Sequence, residues 1–187
     1  MESLEIKLTL PDRNFWAGKH VLVTGHTGFK GGWLTLWLQR LGAQVSGISL
    51  QPNTDPNLFE IAKIDLICDS HFCDIRNKES LSRLIKNLRP EIVFHLAAQP
   101  LVRYSYEEPS ETFNSNIIGT VNLLDALRNL KSIKAAVMVT TDKVYRNNEW
   151  SWPYREEDIL GGHDPYSASK AASEIVIASY RDAFLNQ

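Results

Sequence analysis

The chain has 187 residues, which is enough for one ordinary domain and too few for two. Hydrophobic residues make up 43% and charged residues 22%, values typical of folded proteins that exclude the disordered and fibrous classes. The net charge of -2 offers no basic surface for nucleic acid or an anionic membrane, so we expect neither as a partner.

No apolar run approaches the roughly 20 residues that span a bilayer. The N-terminus carries acids and no long apolar core, so it does not resemble a signal peptide. Cys68 and Cys73 cannot form a disulfide framework, which fits a reducing compartment. We expect a cytoplasmic protein without a metal, consisting of a leader (residues 1–14) and one domain (residues 15–187).

Strands and helices alternate along the chain. Apolar runs predict strands at His20–Thr24, Gln44–Leu50, Leu66–Phe72, Ile92–His95 and Ala135–Thr140. Apolar residues at helical spacing predict helices at Gly32–Leu41, Lys78–Leu88, Glu111–Leu130 and Tyr166–Leu185. This alternation predicts an α/β fold, a doubly wound parallel sheet of the Rossmann type, with no later strand to complete the sheet. Right-handed crossovers should bring the motifs that follow the strands to one edge.

A glycine cluster lies between the first strand and the first long helix. Its spacing, GxxGxxG, is a variant of the dinucleotide fingerprint. Such glycines permit a tight turn and let backbone N–H groups approach a pyrophosphate at the positive end of a helix dipole. The alternative is an ordinary glycine-rich turn, but the position within a βαβ unit favours a dinucleotide site. The predicted cofactor-binding residues here are Gly25, Thr27, Gly28, Phe29, Lys30 and Gly31.

The second strand ends in Ser49, without the acidic residue that usually binds a ribose 2′-hydroxyl. No arginine is present there for a 2′-phosphate either, so NAD is favoured while NADP stays open. Asp74 and Ile75 follow the third strand and could hold the adenine. Alternatively, Asp74 belongs to the cap region of the helix that follows Asn77.

Tyr166 and Lys170 lie one turn apart on one face of the last predicted helix. A free phenol, with a pKa of about 10, is a poor base at neutral pH, and a nearby ammonium favours the phenolate. The alternative is a surface helix with a solubilising lysine. The combination with the glycine cluster favours a catalytic pair.

The fifth predicted strand ends at Thr140, and Thr141, Asp142 and Lys143 follow it directly. Asp142 and Lys143 could act as an acid and a base if the site separates their pKa values. From the residues alone, a solvated loop pair is the favoured interpretation.

Four segments together resemble the extended short-chain dehydrogenase/reductase superfamily and, within it, the CDP-glucose 4,6-dehydratase family. They are residues 15–43, 93–109, 116–128 and 139–170. The narrower resemblance rests on His26 to Lys30, on Lys143, and on the insert from Asn148 to Glu156. Related TDP-glucose 4,6-dehydratases usually carry glutamate where this chain has Lys143.

The resemblance implies a lyase of deoxysugar and lipopolysaccharide O-antigen biosynthesis, which converts CDP-glucose to CDP-4-keto-6-deoxyglucose with NAD as a temporary hydride store. Tyr166 would take the proton of the sugar 4-hydroxyl, and Thr141 would hydrogen-bond O4. Lys170 would bind the nicotinamide ribose and lower the pKa of Tyr166. Asp142 would protonate the departing 6-hydroxyl. Lys143 corresponds to the base at C5, which requires a neutral amine or a different base.

The resemblance also implies how the cofactor is lined and how subunits pair. The lining residues would be Leu96, Ala97, Ala98, Gln99, Ser115 and Thr140. Helices Glu111–Leu130 and Tyr166–Leu185 would pair in a homodimer, unless a missing C-terminal part covers them.

Relatives continue into a substrate domain that this sequence lacks, so we expect a cofactor-binding portion with weak or no turnover. The alternatives are another enzyme of the superfamily, such as a nucleotide-sugar epimerase or a TDP-glucose 4,6-dehydratase, or a non-catalytic NAD-binding or oligomerising module.

Overall fold

Five short parallel strands form one sheet in the computed structural model, which describes residues 11–185. The strands are β1 (His20–Thr24), β2 (Gln44–Ser49), β3 (Asp69–Phe72), β4 (Ile92–His95) and β5 (Ala135–Met138). Their order in the sheet is β3-β2-β1-β4-β5. The chain adds β2 and β3 on one side of β1 and then β4 and β5 on the other side, so the strand order reverses between β1 and β4. Ligands of open α/β sheets bind at such a switch point, beyond the carboxyl ends of the strands.

Helices connect the strands and cover both faces of the sheet. They are α1 (Arg13–Trp16), α2 (Phe29–Arg40), α3 (Leu58–Ile61), α4 (Lys78–Leu88), α5 (Val102–Glu107), α6 (Pro109–Phe113), α7 (Gly119–Leu127) and α8 (Pro165–Tyr180). Short 3₁₀ turns occupy Ile64–Leu66 and Asp142–Val144, and π-helical turns occupy Asn114–Ile118 and Arg181–Leu185. Within residues 11–185, no helix combines the length and apolar character needed to cross a bilayer.

Two buried clusters show why the sheet is covered on both sides. Along β1, the side chains of Val21 and Val23 enter the cluster beneath α2, and that of Leu22 enters the cluster beneath α4 and α7. Successive residues of a strand point to opposite faces, and all three side chains are 0% exposed because both faces are covered. The predicted doubly wound α/β fold is therefore confirmed.

Several predicted boundaries differ from the structure. The third strand begins at Asp69 rather than Leu66, because residues 64–66 form a 3₁₀ turn that leaves the Leu66 side chain 73% exposed. The helix expected over Glu111–Leu130 consists of α6, a π-helical turn and α7, and it ends at Leu127. Helix α2 starts three residues before the expected Gly32, directly after the N-cap Gly28.

The expected leader is only partly described. Residues 1–10 lie outside the described residues. Helix α1 spans the expected boundary between residues 14 and 15, and Gly18 donates a backbone hydrogen bond to Gly42 at 2.8 Å. The chain is therefore attached to the fold from α1 onward.

Candidate active site

The turn after β1 has an approach between backbone segments that only glycine allows. Gly25 has a φ of 78°, and a Cβ on it would lie 2.8 Å from the backbone nitrogen of Ala97. A Cβ on Gly31 would lie 2.1 Å from the carbonyl oxygen of Gly25. The first and third glycines of the motif are thus needed for the turn itself.

The N-terminus of α2 is open to an anion. Gly28 is its N-cap, and no side chain among the described residues caps its first N–H groups. Phe29 and Lys30 are exposed on the first turn. Unpaired N–H groups and the helix dipole attract a phosphate, so this turn fits the pyrophosphate of a dinucleotide.

Thr27 attaches the glycine turn to the end of β2. Its hydroxyl donates to the carbonyl of Leu50 at 2.9 Å and lies 2.7 Å from Ser49 Oγ. The side chain is 9% exposed, so its visible role is to fix the loop. Ser49 occupies the position of the acidic residue that usually binds a ribose, and its hydroxyl contacts Thr27 and helps to fix the loop.

The turn after β3 contains Asp74 and Ile75, the two residues that could hold an adenine. The Asp74 carboxylate accepts hydrogen bonds from Arg76 Nε at 2.9 Å and from Arg76 Nη2 at 2.6 Å, and these bonds lower its pKa. Arg76, which the sequence analysis did not single out, also faces Glu111 at 3.6 Å. Ile75 is 7% exposed and packs against Gly119, so its side chain belongs to the core. The Ile75 carbonyl oxygen is also held inside the fold, because it accepts from Asn122 Nδ2 at 3.0 Å.

The segment after β4 runs beside the glycine turn. The backbone N–H groups of Leu96 and Ala97 each donate to Thr24 Oγ1 at 3.2 Å. Gln99 is held at its backbone by Asn116, which accepts from the Gln99 N–H at 2.8 Å and donates to its carbonyl at 3.1 Å. Ala98 lies between these anchors and is partly exposed.

Asn116 is a site residue that the sequence analysis missed. It is 1% exposed, lies in the π-helical turn beside Ser115, and also donates to Ser169 Oγ at 2.8 Å. It therefore connects the segment after β4 to helix α8. Its sequence signal is a run of polar residues, Asn114 to Asn116, inside an otherwise apolar helical pattern.

Tyr166 and Lys170 lie on the first two turns of α8, whose N-cap Asp164 accepts from the Ser167 N–H at 2.9 Å. Lys170 is 6% exposed, and its Nζ donates to the carbonyl of Val139 at 3.0 Å. Burial lowers the pKa of Lys170, whereas the negative charge of Glu174 raises it.

The expected lowering of the Tyr166 pKa by Lys170 is not found in this structure. Burial raises the pKa of Tyr166, the side chain of Thr141 opposes that rise, and the negative charge of Asp142 adds to it. The Lys170 ammonium instead satisfies a backbone carbonyl at the end of β5.

The turn after β5 brings the other expected residues to the same edge of the sheet. The Thr141 hydroxyl donates to the Asp142 carboxylate at 3.1 Å. Thr140 donates a short hydrogen bond to Glu174, a second residue that the sequence analysis missed, although it lies one turn after Lys170. Lys143 is exposed, so the burial that would favour a neutral amine is absent.

The segment after this turn, which contains the insert, is a loop rich in aromatic residues and closed by an antiparallel bridge between Tyr145 and Leu160. Tyr145 stacks on Tyr154 with centroids 5.3 Å apart, and Trp150 stacks on Trp152 at 5.1 Å. The backbone N–H of Arg146 donates to the carbonyl of Ile159 at 2.8 Å at the base of this loop. The insert that contributes to the resemblance thus has a defined structure beside the Thr141–Lys143 turn.

A family comparison identifies the kind of protein. The model of the GDP-mannose 4,6-dehydratase family matches residues 22–185, which is most of the chain. The chain belongs to this family. The predicted membership of the extended short-chain dehydrogenase/reductases is thereby confirmed.

Individual relatives agree with the assignment. The CDP-glucose 4,6-dehydratase of Salmonella typhimurium is 53% identical over 94% of this chain and 49% of that protein. UDP-glucose 4-epimerase of Thermotoga maritima, solved with UDP-glucose, aligns with a TM-score of 0.78 and 27% identity over 88% of this chain and 52% of that one. The UDP-glucose 4-epimerase of Stenotrophomonas maltophila, solved with NAD and formylated UDP-arabinopyranose, aligns with a TM-score of 0.76 and 28% identity over 90% and 50% of the respective chains. The chain spans about half the length of the curated relatives it matches.

Proposed function

We propose that the chain is the NAD-binding half of a nucleotide-sugar 4,6-dehydratase that acts on CDP-glucose. The observation that carries this proposal is the convergence of four features at one edge of the sheet. The glycine turn, the segment after β4, the Thr141–Lys143 turn and the Tyr166–Lys170 pair all lie beyond the carboxyl ends of β1, β4 and β5. The choice of CDP-glucose rests on the 53% identity to the Salmonella enzyme.

In this proposal, different groups of the chain would bind different parts of NAD. The open N-terminus of α2 would hold the pyrophosphate, and Lys170 the nicotinamide ribose. Leu96 to Gln99, Ser115 and Thr140 would line the remaining surface. NAD, when bound, supplies the oxidising equivalent that makes the 4-ketone possible and is restored at the end of the cycle.

Protein groups would perform the proton transfers. Tyr166 would take the proton of the sugar 4-hydroxyl, with Thr141 holding the same oxygen. A 4-ketone acidifies the C5 proton, so loss of the 6-hydroxyl requires one acid and one base. Asp142 would protonate the departing hydroxyl.

Lys143 would be the base at C5. It is exposed in the described chain, so this role requires that bound substrate remove the ammonium from water and favour the neutral amine. The pKa of the nearby Asp164 carboxyl is lowered overall. Burial alone would raise this pKa, but hydrogen bonds from Ser167 and the positive charge of Lys143 more than offset the effect of burial.

We also propose that the protein works as a homodimer in the cytoplasm. Apolar side chains remain exposed on α8 and on the π-helical turn Asn114–Ile118, which packs against it, with Ile175 61% and Ile118 44% exposed. Burying such side chains against a second copy would stabilise a helical interface. Cys68 and Cys73 are free, as expected for proteins of a reducing compartment.

A chimera tests the function directly. This chain would be fused to the C-terminal half of the Salmonella enzyme, which it does not match, and assayed with NAD and CDP-glucose. We expect CDP-4-keto-6-deoxyglucose to form. Asp142→Asn should allow the sugar to be oxidised while preventing elimination. A chimera that binds NAD but exchanges CDP-glucose with its 4-epimer, with no effect of Asp142→Asn, would instead establish an epimerase.

A further inference from the structure

His95 is a buried titratable residue that the proposed chemistry does not use. Its side chain is 3% exposed and lies at the end of β4, between β1 and α7. Nδ1 is 2.7 Å from Thr24 Oγ1, and Nε2 is 3.3 Å from Thr120 Oγ1. A buried imidazole can be charged or adopt either of two neutral tautomers, and its hydrogen bonds decide which form is present.

The bonds of Thr24 fix the state of Nδ1. The Thr24 hydroxyl accepts from the backbone N–H of Ala97, and it shares the N–H of Leu96 with the Thr24 carbonyl oxygen. A hydroxyl has two acceptor lone pairs and one hydrogen, so its hydrogen is left to donate to His95. Nδ1 must therefore carry no hydrogen.

The bonds of Thr120 fix the state of Nε2 independently. Thr120 Oγ1 donates to the carbonyl oxygen of Asn116 at 2.6 Å, since a carbonyl can only accept. The Thr120 oxygen is then an acceptor for His95 Nε2, which must carry a hydrogen. Both sides of the ring thus require the same neutral tautomer.

The surroundings disfavour the charged ring. An imidazolium would direct an N–H group from Nδ1 at the hydroxyl hydrogen of Thr24. Burial lowers the pKa of His95 to about 3, with a further contribution from the positive charge of Lys170. The neutral ring is therefore the form at physiological pH.

This hydrogen-bond chain joins the backbone segments that would face a dinucleotide. Thr24 directly precedes Gly25, whose turn packs against the backbone of Ala97. At the other end, Asn116 holds the backbone of Gln99. His95 lies between these two attachments and spans the gap from β1 to α7.

We propose that His95 is a positioning residue whose neutral Nε2–H tautomer fixes the Leu96–Gln99 segment against the glycine turn and thereby sets the affinity for the dinucleotide. The inference rests on the NAD binding of the proposed function, but not on its sugar chemistry. Each of these hydrogen bonds is directional. Removing one hydroxyl should therefore loosen the Leu96–Gln99 segment without removing any group that would contact the cofactor.

Nitrogen NMR of the ¹⁵N-histidine-labelled 187-residue chain at neutral pH tests the tautomer. We expect the His95 signals of an unprotonated Nδ1 and a protonated Nε2, with or without NAD. A hydrogen on Nδ1, or on both nitrogens, would overturn the proposal. This reading is independent of cofactor binding, so a wild-type chain that fails to bind NAD would refute the proposed function while the tautomer remained measurable.

Substitutions at Thr120 test the effect on affinity. Thr120→Val keeps the volume and loses the hydroxyl, whereas Thr120→Ser keeps the hydroxyl and loses the methyl group. We expect NAD to bind Thr120→Val about tenfold more weakly, as for loss of one buried hydrogen bond, and Thr120→Ser almost as tightly as wild type.

A matched control is available in α2. Thr35 is 0% exposed, and its hydroxyl has no hydrogen-bond partner among the described residues. Thr35→Val should leave the NAD affinity unchanged. The proposal is wrong, and His95 contributes to packing only, in either of two cases. In the first, Thr120→Ser weakens NAD binding as much as Thr120→Val does. In the second, Thr120→Val has the same NAD affinity as Thr35→Val. If Thr120→Val does not fold, the Thr120→Ser affinity and the wild-type NMR signals still decide.

Discussion

The glycine loop contains a second buried histidine whose chemistry links pH to stability. The His26 side chain is 0% exposed, and its Nε2 lies 2.7 Å from Ser70 Oγ. The ring fills the space beside Gly47, where a Cβ would lie 2.3 Å from the imidazole. Burial is the largest of the effects that lower the pKa of His26 to about 4. The loop is therefore built around a neutral imidazole.

Acid should weaken the fold through this residue. Because its folded pKa is lowered, the folded chain binds fewer protons than the unfolded chain below about pH 6.5, so the free energy of unfolding falls as the pH drops towards 4. Between pH 7 and 5 the loss attributable to His26 should be about 2 kcal/mol. Urea titrations at both pH values should show a smaller loss in His26→Gln. His163→Gln, at an exposed position, should behave as wild type.

The third glycine of the motif should be the least replaceable. A Cβ on Gly31 would lie 2.1 Å from a backbone oxygen, so Gly31→Ala requires the turn to move. We expect a loss of about 3 kcal/mol or more in unfolding free energy and loss of measurable NAD binding. The matched control is Gly161→Ala, where the nearest contact would be 3.8 Å from a Cβ. An equal effect of the two substitutions in calorimetry would contradict this account.

At the scale of elements, the sequence predicts the bounds of those strands and helices that are determined by a local pattern of apolar residues. β1, β4 and α4 have the predicted bounds, because each has an unambiguous apolar period and clear flanking residues. The π-helical turn at Asn114–Ile118 was not predictable, since it is stabilised by contacts of Asn116 with residues far away in sequence.

The same distinction holds for the site. The positions of the glycines and of Tyr166 and Lys170 follow from spacing alone. The Asp74–Arg76 pair depends instead on side-chain geometry, and the bond from Lys170 to Val139 depends on tertiary packing. No periodicity in the sequence encodes contacts of these kinds.

Helix α8 allows a test of the dimer proposal. Ile175 is 61% exposed on this helix, and a charge there would have to be buried in a subunit interface at a cost of several kcal/mol. We expect wild type to sediment as a dimer at micromolar concentration and Ile175→Glu as a monomer. Ile61→Glu makes the same change at a 70% exposed position on α3 and should leave the dimer intact. A monomeric wild type would refute the proposal.

At the scale of the molecule, the groups proposed to bind NAD all lie within residues 11–185. Most of the residues proposed to bind NAD lie in the segments that follow β1 and β4, and these two strands are covered on both faces of the sheet. By contrast, β5 is at the edge of the sheet, and Val137 on it is 45% exposed. The chain also matches only about half the length of its relatives. Cofactor binding and turnover should therefore be separable in this chain.

We expect the 187-residue chain to bind NAD, so NAD at about 100 times its dissociation constant should raise the unfolding free energy by about 2.7 kcal/mol. Thermal denaturation with and without NAD measures this increase, and Gly31→Ala serves as the non-binding control. The same preparation should form little or no 4-keto sugar from CDP-glucose, because proton transfer needs a sugar held within hydrogen-bond reach of Tyr166 and Asp142. Sustained product formation by the chain alone would show that the proposed dependence on a second half is wrong.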